Sequence, residues 1–197
     1  MYQLVLASAS PRRRQLLKEA GFSCLVHPSQ VSEKLEKNMT IDEQLLDLAR
    51  RKARIVFDQF KSVHLDPFIV LAADTEVIYN GSPLGKPENE TQIVAFLKLL
   101  SGSSHFVKTA VYLMNSFTGE NVSHLETTEI IFKDLNDQEI IEYAATLEGL
   151  DKAGGYGIQG AASQFVKNVN GSWTNVVGLP IERVQKIFTD HQWKINP

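Results

Sequence analysis

Two hydroxyl groups and three guanidinium groups are concentrated in seven residues near the start of the chain. The segment is Ser8-Ala9-Ser10-Pro11-Arg12-Arg13-Arg14, in which Ser10 followed by Pro11 is typical of a helix start. A helix N-terminus offers backbone N–H groups and a positive dipole end, so helix stability alone does not favour arginines there. The combination therefore favours a phosphate-binding site over a capped, basic surface turn.

A second candidate group is formed by Asp74 and Thr75, which follow the apolar run 68–73. This run is rich in strand formers and predicts a central strand buried on both faces. Ligands of α/β sheets bind beyond the carboxyl ends of strands, where Asp74 could hold Mg²⁺ or orient a water molecule. A turn-capping role for the Asp-Thr pair fits the sequence equally well.

Three further charged residues could complete such a site, namely Lys52, Lys86 and Glu33. Each of them, taken alone, is typical of a solvated surface residue and acquires a role only if the fold brings it to the site. Together with the helix start and Asp74, they indicate metal-assisted chemistry on a phosphorylated small molecule.

Other motifs with chemical meaning are weak. Gly155-x-Gly157-x-x-Gly160 matches the dinucleotide fingerprint in form but lacks the strand before it and the acid after it, and 81–87 is one residue short of a Walker motif. The five histidines lack metal-ligand spacing, so we interpret all of them as ordinary surface or half-buried side chains. The sequence has no Gly-x-Ser-x-Gly elbow to support a serine hydrolase.

The composition is that of a globular protein. Its 197 residues, of which 43% are hydrophobic, suffice for one domain or two small lobes. The net charge of −3 argues against a nucleic-acid partner, and no apolar window approaches the roughly 20 residues of a membrane span. The N-terminus lacks the residue order of a secretory signal, and the single Cys24 suits a reducing compartment. We therefore expect a soluble, cytoplasmic protein without a nucleic-acid or membrane partner.

The elements that must position these residues alternate in type along the chain. Strands are predicted over 2–7, 22–26, 68–73, 76–79, 106–114 and 126–132. Helices are predicted after Ser10, from the capping box Thr40–Glu43, over 90–100, after Asn136 and after Leu179-Pro180. Asn80-Gly81 and Asn170-Gly171 each predict a hairpin. The alternation indicates an α/β domain with a mixed sheet.

Five blocks of the chain together resemble the Maf family of nucleotide pyrophosphatases, and the resemblance covers essentially the whole sequence. The blocks are Ser8–Arg13, Ala73–Thr75, Gly85–Pro87, Asp151–Gly160 and Val176–Pro180, and Leu48-Ala49-x-x-Lys52-Ala53 and Glu33 also match. The resemblance is to the dTTP/UTP branch. It implies a fold related to the inosine triphosphate pyrophosphatases (Ham1): a long mixed β-sheet with flanking helices in a single domain, 1–197, whose two lobes surround a deep cleft.

The resemblance also implies a reaction and a set of site residues. Nucleoside triphosphates would be cleaved between the α and β phosphates, with Mg²⁺ or Mn²⁺, to the monophosphate and pyrophosphate in a house-cleaning role. Asp74 would be the proton acceptor and, with Glu33, a metal ligand. The remaining residues would be Lys52 and Lys86 in catalysis, Ser8 and Arg13 at the phosphates, and Arg12, Thr75 and Gln159 at positions tied to base choice.

Two other functions stay open at this level, a 7-methyl-GTP pyrophosphatase and a nucleotide-binding regulator of cell division acting by septum inhibition. Intact Asp74, Lys52 and Lys86 favour catalysis, and the Tyr156–Gly160 loop favours pyrimidines. One departure from the family pattern is Ser32, where a second acid is common, and we expect this change to weaken cation binding. A homodimer is a family expectation.

Overall fold

The structure, a computed structural model, describes residues 1–32 and 38–196, and within them seven strands form one mixed sheet. The strands are β1 (Gln3–Leu6), β2 (Cys24–Val26), β3 (Phe68–Tyr79), β4 (Ser82–Pro83), β5 (Ser104–Asn115), β6 (Asn121–Phe132) and β7 (Val166–Asn170). Their order is β2-β1-β3-β5-β6-β7, with β4 paired to β3. β1 is parallel to both β2 and β3, whereas β6 and β7 are antiparallel. The predicted α/β class with a mixed sheet is confirmed.

Six α-helices accompany the sheet in the described residues. They are α1 (Pro11–Glu19), α2 (Ile41–Lys61), α3 (Glu90–Leu100), α4 (Asp137–Ala145), α5 (Trp173–Val177) and α6 (Ile181–Asp190). The predicted caps are confirmed: the Ser10 side chain accepts from the Arg13 N–H, and capping boxes join Thr40 to Glu43 and Asn136 to Glu139. These caps satisfy backbone N–H groups that have no partner within their helices. No described helix is long and apolar enough to cross a membrane.

Three sequence predictions were wrong in detail. The strand that was expected to end before Asp74 continues to Tyr79. The chain then turns at Asn80-Gly81 into β4, which pairs antiparallel with the end of β3 and extends the strand. Asn170-Gly171 does not turn a hairpin: Gly171 has φ 135°, outside the left-handed helical values of a tight hairpin turn, and the chain enters α5. His105 is buried, not half-exposed.

Residues of the chain cluster in two compact units. The first unit contains 1–74, 109–126 and 178–197, and the second contains 75–108 and 127–177. In the first unit, α2 packs against β1 and β3 through a core that includes Val5, Val70, Ala72, Ala53, Val56 and Phe57. The core therefore fixes one face of α2 against alternate residues of β3.

The second unit has an aromatic core. Phe132 contacts the rings of His105, Tyr156 and Phe165, at centroid distances of 5.0, 4.9 and 6.3 Å. Tyr143 extends the cluster through Phe165, at 5.4 Å, and all four of these pairs are edge-to-face. Such packing stabilises the unit by aromatic contact in addition to apolar burial.

Candidate active site

The first group of site residues lies at the junction of β1 and α1. Ser8 is buried, and its hydroxyl accepts from the Ser10 N–H at 3.2 Å and from Arg13 Nη1 at 3.1 Å. Arg13 Nε donates to the carbonyl oxygen of Gly178 at 2.8 Å. The guanidinium is thus fixed by two partners at the N-terminus of α1. These hydrogen bonds offset the unfavourable position of a positive charge at the positive end of the helix dipole.

The Gly178 contact joins two of the blocks on which the family resemblance depends. Gly178 has φ 124° and precedes Leu179-Pro180, in which Pro180 is the N-cap of α6. Its carbonyl is therefore a structural partner of Arg13 that sequence reasoning missed, since a backbone acceptor 165 residues away leaves no trace in local spacing. Arg12 is partly exposed in the same first turn, and Arg14 is exposed.

The second group is an ion pair between α2 and β3. Lys52 Nζ lies 2.6 Å from Asp74 Oδ1, and the two side chains are only 13% and 18% exposed. Val70, Ala72 and Asp74 alternate along β3 and share the face on which α2 packs, and Lys52 precedes the fully buried Ala53. Packing of α2 on β3 thereby brings the ammonium to the carboxylate.

The sheet register relates the two groups. β1 and β3 are parallel with Leu6 opposite Leu71, so Ser8, two residues beyond Leu6, is level with Ala73. Asp74 is therefore near the carboxyl end of β1 even though its own strand continues. The sequence predicts Asp74 at the end of its own strand, but the strand end beside it is that of β1, because β3 continues to Tyr79.

The second unit carries the three other predicted residues. Thr75 lies in β3, and Lys86 and Gln159 are exposed. Lys86 follows Gly85, whose N–H donates to Glu76 Oε1 at 3.0 Å and whose carbonyl accepts from the Gly154 N–H at 2.8 Å. Glu76 was missed from sequence, although an acid two residues after Asp74 was an available signal.

The residues that could hold a metal ion are few. Glu33, one of the two predicted ligands, lies outside the described residues. Within the described part of the chain, no group of three or more His, Cys, Asp and Glu could hold a metal ion. One carboxylate is nonetheless compatible with Mg²⁺, which usually keeps several waters and binds through one or two carboxylates and the substrate phosphates. Asp74 fits that donor set.

This α/β protein has a guanidinium fixed at the N-terminus of α1 and an ion-paired aspartate on β3, an arrangement suited to an enzyme that binds and processes phosphorylated ligands. The family described as Maf-like protein matches residues 3–191, and the chain belongs to this Maf family.

Similar proteins match this chain over most of its length. A dTTP/UTP pyrophosphatase of Bdellovibrio bacteriovorus is 53% identical over 186 residues, which cover 94% of this chain and 97% of that protein. One of Colwellia psychrerythraea is 44% identical, covering 95% of this chain and 88% of that protein. Among solved structures, the Ham1 protein of Staphylococcus aureus aligns at a TM-score of 0.49 and 15% identity, over 96% of this chain and 99% of that one.

Proposed function

We propose that this protein is a nucleoside triphosphate pyrophosphatase that hydrolyses dTTP and UTP to the monophosphate and pyrophosphate. Family membership and the names of the similar proteins support the reaction class and the two substrates. The observation that carries the proposal within the site is the Lys52–Asp74 pair, because it supplies an oriented carboxylate.

The proposed reaction is attack of water on the α phosphorus. The water oxygen forms a bond to that phosphorus, the bond from the α phosphorus to the α–β bridging oxygen breaks, and pyrophosphate leaves with the electron pair. Asp74 accepts the proton that the water loses. Lys52 Nζ donates to Asp74 Oδ1 and fixes the direction of the carboxylate that accepts this proton.

We assign the remaining predicted residues to two tasks, binding of the charged triphosphate and recognition of the nucleotide base. We assign the triphosphate to Arg13, oriented by Ser8, and to Lys86, and we assign the base to Arg12, Thr75 and Gln159. A divalent cation, Mg²⁺ or Mn²⁺, would be held by Asp74 with the substrate phosphates and would neutralise phosphate charge. Arg13 and Lys86 oppose the negative charge that develops on the departing pyrophosphate.

The test is a nucleotide panel in which products are separated. Purified protein with Mg²⁺ is given UTP, dTTP, CTP, GTP or 7-methyl-GTP, and monophosphate, pyrophosphate and orthophosphate are measured. We expect UTP and dTTP to give monophosphate and pyrophosphate in equal amounts. Diphosphate with orthophosphate would refute the bond assignment, and preferential cleavage of 7-methyl-GTP would refute the substrate assignment.

The role of Asp74 is tested by a matched pair of variants. Asp74→Asn keeps the shape of the side chain but removes the proton acceptor, so we expect kcat to fall by about 10²- to 10⁴-fold while nucleotide binding persists. Asp58→Asn is the control, because Asp58 also pairs with a cation on α2, Arg54 at 2.9 Å, but is 55% exposed. Turnover near wild type in Asp74→Asn would exclude Asp74 as the proton acceptor.

A further inference from the structure

Gln159 is presented by a tight turn in the second unit. The Gly160 N–H donates to the Gly157 carbonyl at 3.0 Å, which makes 157–160 a β-turn with Gln159 at its third position. Ile158 is buried at 4% exposure and anchors the turn, whereas Gln159 is exposed. Within the described residues the Gln159 amide makes no hydrogen bond. The direction in which the Gln159 side chain points therefore depends on the contacts that hold the turn in place.

The carboxylate of Glu148 occupies the space beside this turn. A Cβ atom added to Gly160 would lie 1.9 Å from Glu148 Oε1, and one added to Gly157 would lie 2.8 Å from the same oxygen. The Ala161 N–H donates to Glu148 Oε2 at 3.2 Å. The two glycines thus leave room for a protein carboxylate, which is a physical reason for glycine at these positions.

Glu148 is itself held in place by its neighbours. The Glu148 N–H donates to Thr146 Oγ1 at 3.2 Å, and Lys152 Nζ donates to the Glu148 carbonyl oxygen. Leu147 has φ 57°, a conformation that costs a leucine about 1 kcal/mol or more and that sets the direction of the chain into Glu148. Such a conformation persists only where the surrounding structure holds the strained residue in place.

We propose that Glu148 is a positioning residue that fixes the 157–160 turn and thereby presents Gln159 to the nucleotide base. The inference rests on the proposed pyrophosphatase activity and on the assignment of Gln159 to base choice. Loss of the carboxylate frees the turn, so the enzyme must order Gln159 each time it binds a pyrimidine. The triphosphate contacts and Asp74 belong to other segments, so kcat is retained while the KM for UTP rises.

The test uses two routes to the same perturbation. Glu148→Ala removes the carboxylate, and Gly160→Ala displaces it, since Gly160 has φ −101° and its backbone accepts alanine. We expect each variant to raise the KM for UTP by about tenfold. The ratio of kcat/KM for UTP to that for GTP should fall by the same factor. The double variant is expected to be no worse than either single one, because the added methyl then occupies the vacated space.

Conservative and control variants sharpen the result. Glu148→Gln retains an oxygen that can accept from the Ala161 N–H, so it is expected to recover most of the UTP preference. Glu142→Ala is the control, because Glu142 is an exposed acid on α4 in the same unit, bonded only to Gln138 among the described residues.

Two results would overturn the proposal. The first is an unchanged KM and an unchanged UTP preference in Glu148→Ala or, if that variant does not fold, in Gly160→Ala. The second is an equal loss of kcat on all nucleotides accompanied by a lower Tm, which would make Glu148 a purely structural residue. Failure of the wild-type protein to cleave UTP would instead refute the proposed function, so the two failures are distinguishable.

Discussion

Because His105 is buried in the second unit, we expect the protein to lose stability in mild acid. Its Nε2 is 2.7 Å from the Tyr156 hydroxyl, and its Nδ1 is buried without a hydrogen-bond partner among the described residues. The imidazolium form would need an acceptor at both nitrogens. Burial therefore lowers the pKa of His105 from 6.5 to about 4. Burial raises the pKa of Tyr156, so the phenol stays neutral in this range.

The size of the effect follows from the two pKa values of His105. Above pH 6.5 the ring is neutral in both the folded and the unfolded chain, and the stability is complete. As the pH falls towards 4 the unfolded chain binds a proton that the folded chain does not, so the free energy of unfolding decreases. At pH 5 the folding equilibrium constant is about 30-fold smaller than at neutral pH, which lowers the free energy of unfolding by about 2 kcal/mol.

The assay is urea unfolding followed by circular dichroism at pH 7.5 and pH 5, on wild type and on His105→Gln. The glutamine does not titrate, so we expect the decrease between the two pH values to be smaller in the variant by about 2 kcal/mol. His64→Gln, which changes an exposed histidine, controls for the loss of one imidazole. An equal decrease in wild type and His105→Gln would show that the buried ring is not the acid-sensitive group.

Three further predictions concern the site. Arg13→Lys replaces two separate donors by one ammonium that cannot reach both Ser8 and Gly178, so kcat/KM should fall about tenfold or more on every nucleotide; a loss limited to one base would contradict phosphate binding. Glu76→Ala removes the acceptor of the Gly85 N–H, and we expect about 1 kcal/mol lower stability and slower turnover on all nucleotides, with recovery in Glu76→Gln. Gln159→Glu places a charge opposite the base carbonyls and should reduce cleavage of UTP and dTTP selectively; equal losses with CTP and GTP would exclude base recognition.

Features that depend on a few adjacent residues could be predicted from the sequence. Ser10, Thr40 and Asn136 each cap a helix through a bond to the residue three positions later, so the whole interaction lies within one turn. The Asn80-Gly81 turn is similarly local, with φ values of 47° and 77°.

Features that depend on distant partners could not be predicted. Asn170-Gly171 has the same residue types as the true hairpin turn, but Thr128 accepts from the Ser172 N–H, and the chain turns into α5. His105 looked like any other histidine because its burial comes from Tyr156 and Phe132, which are 51 and 27 positions away. Glu148 carried no signal for the same reason, since the turn that it fills begins nine residues later.

The Lys52–Asp74 pair shows why core and site cannot be separated in the first unit. Asp74 follows Val70 and Ala72 on the face of β3 that packs against α2, so the same strand alternation that buries these two residues also directs the carboxylate towards Lys52. A change in the packing of Ala53 would move Lys52 together with its helix. Because a hydrogen bond at 2.6 Å tolerates little displacement, the orientation of the carboxylate depends on the apolar contacts beneath it. The core of this unit therefore has a second role, which is to hold the carboxylate of the proposed proton acceptor against Lys52.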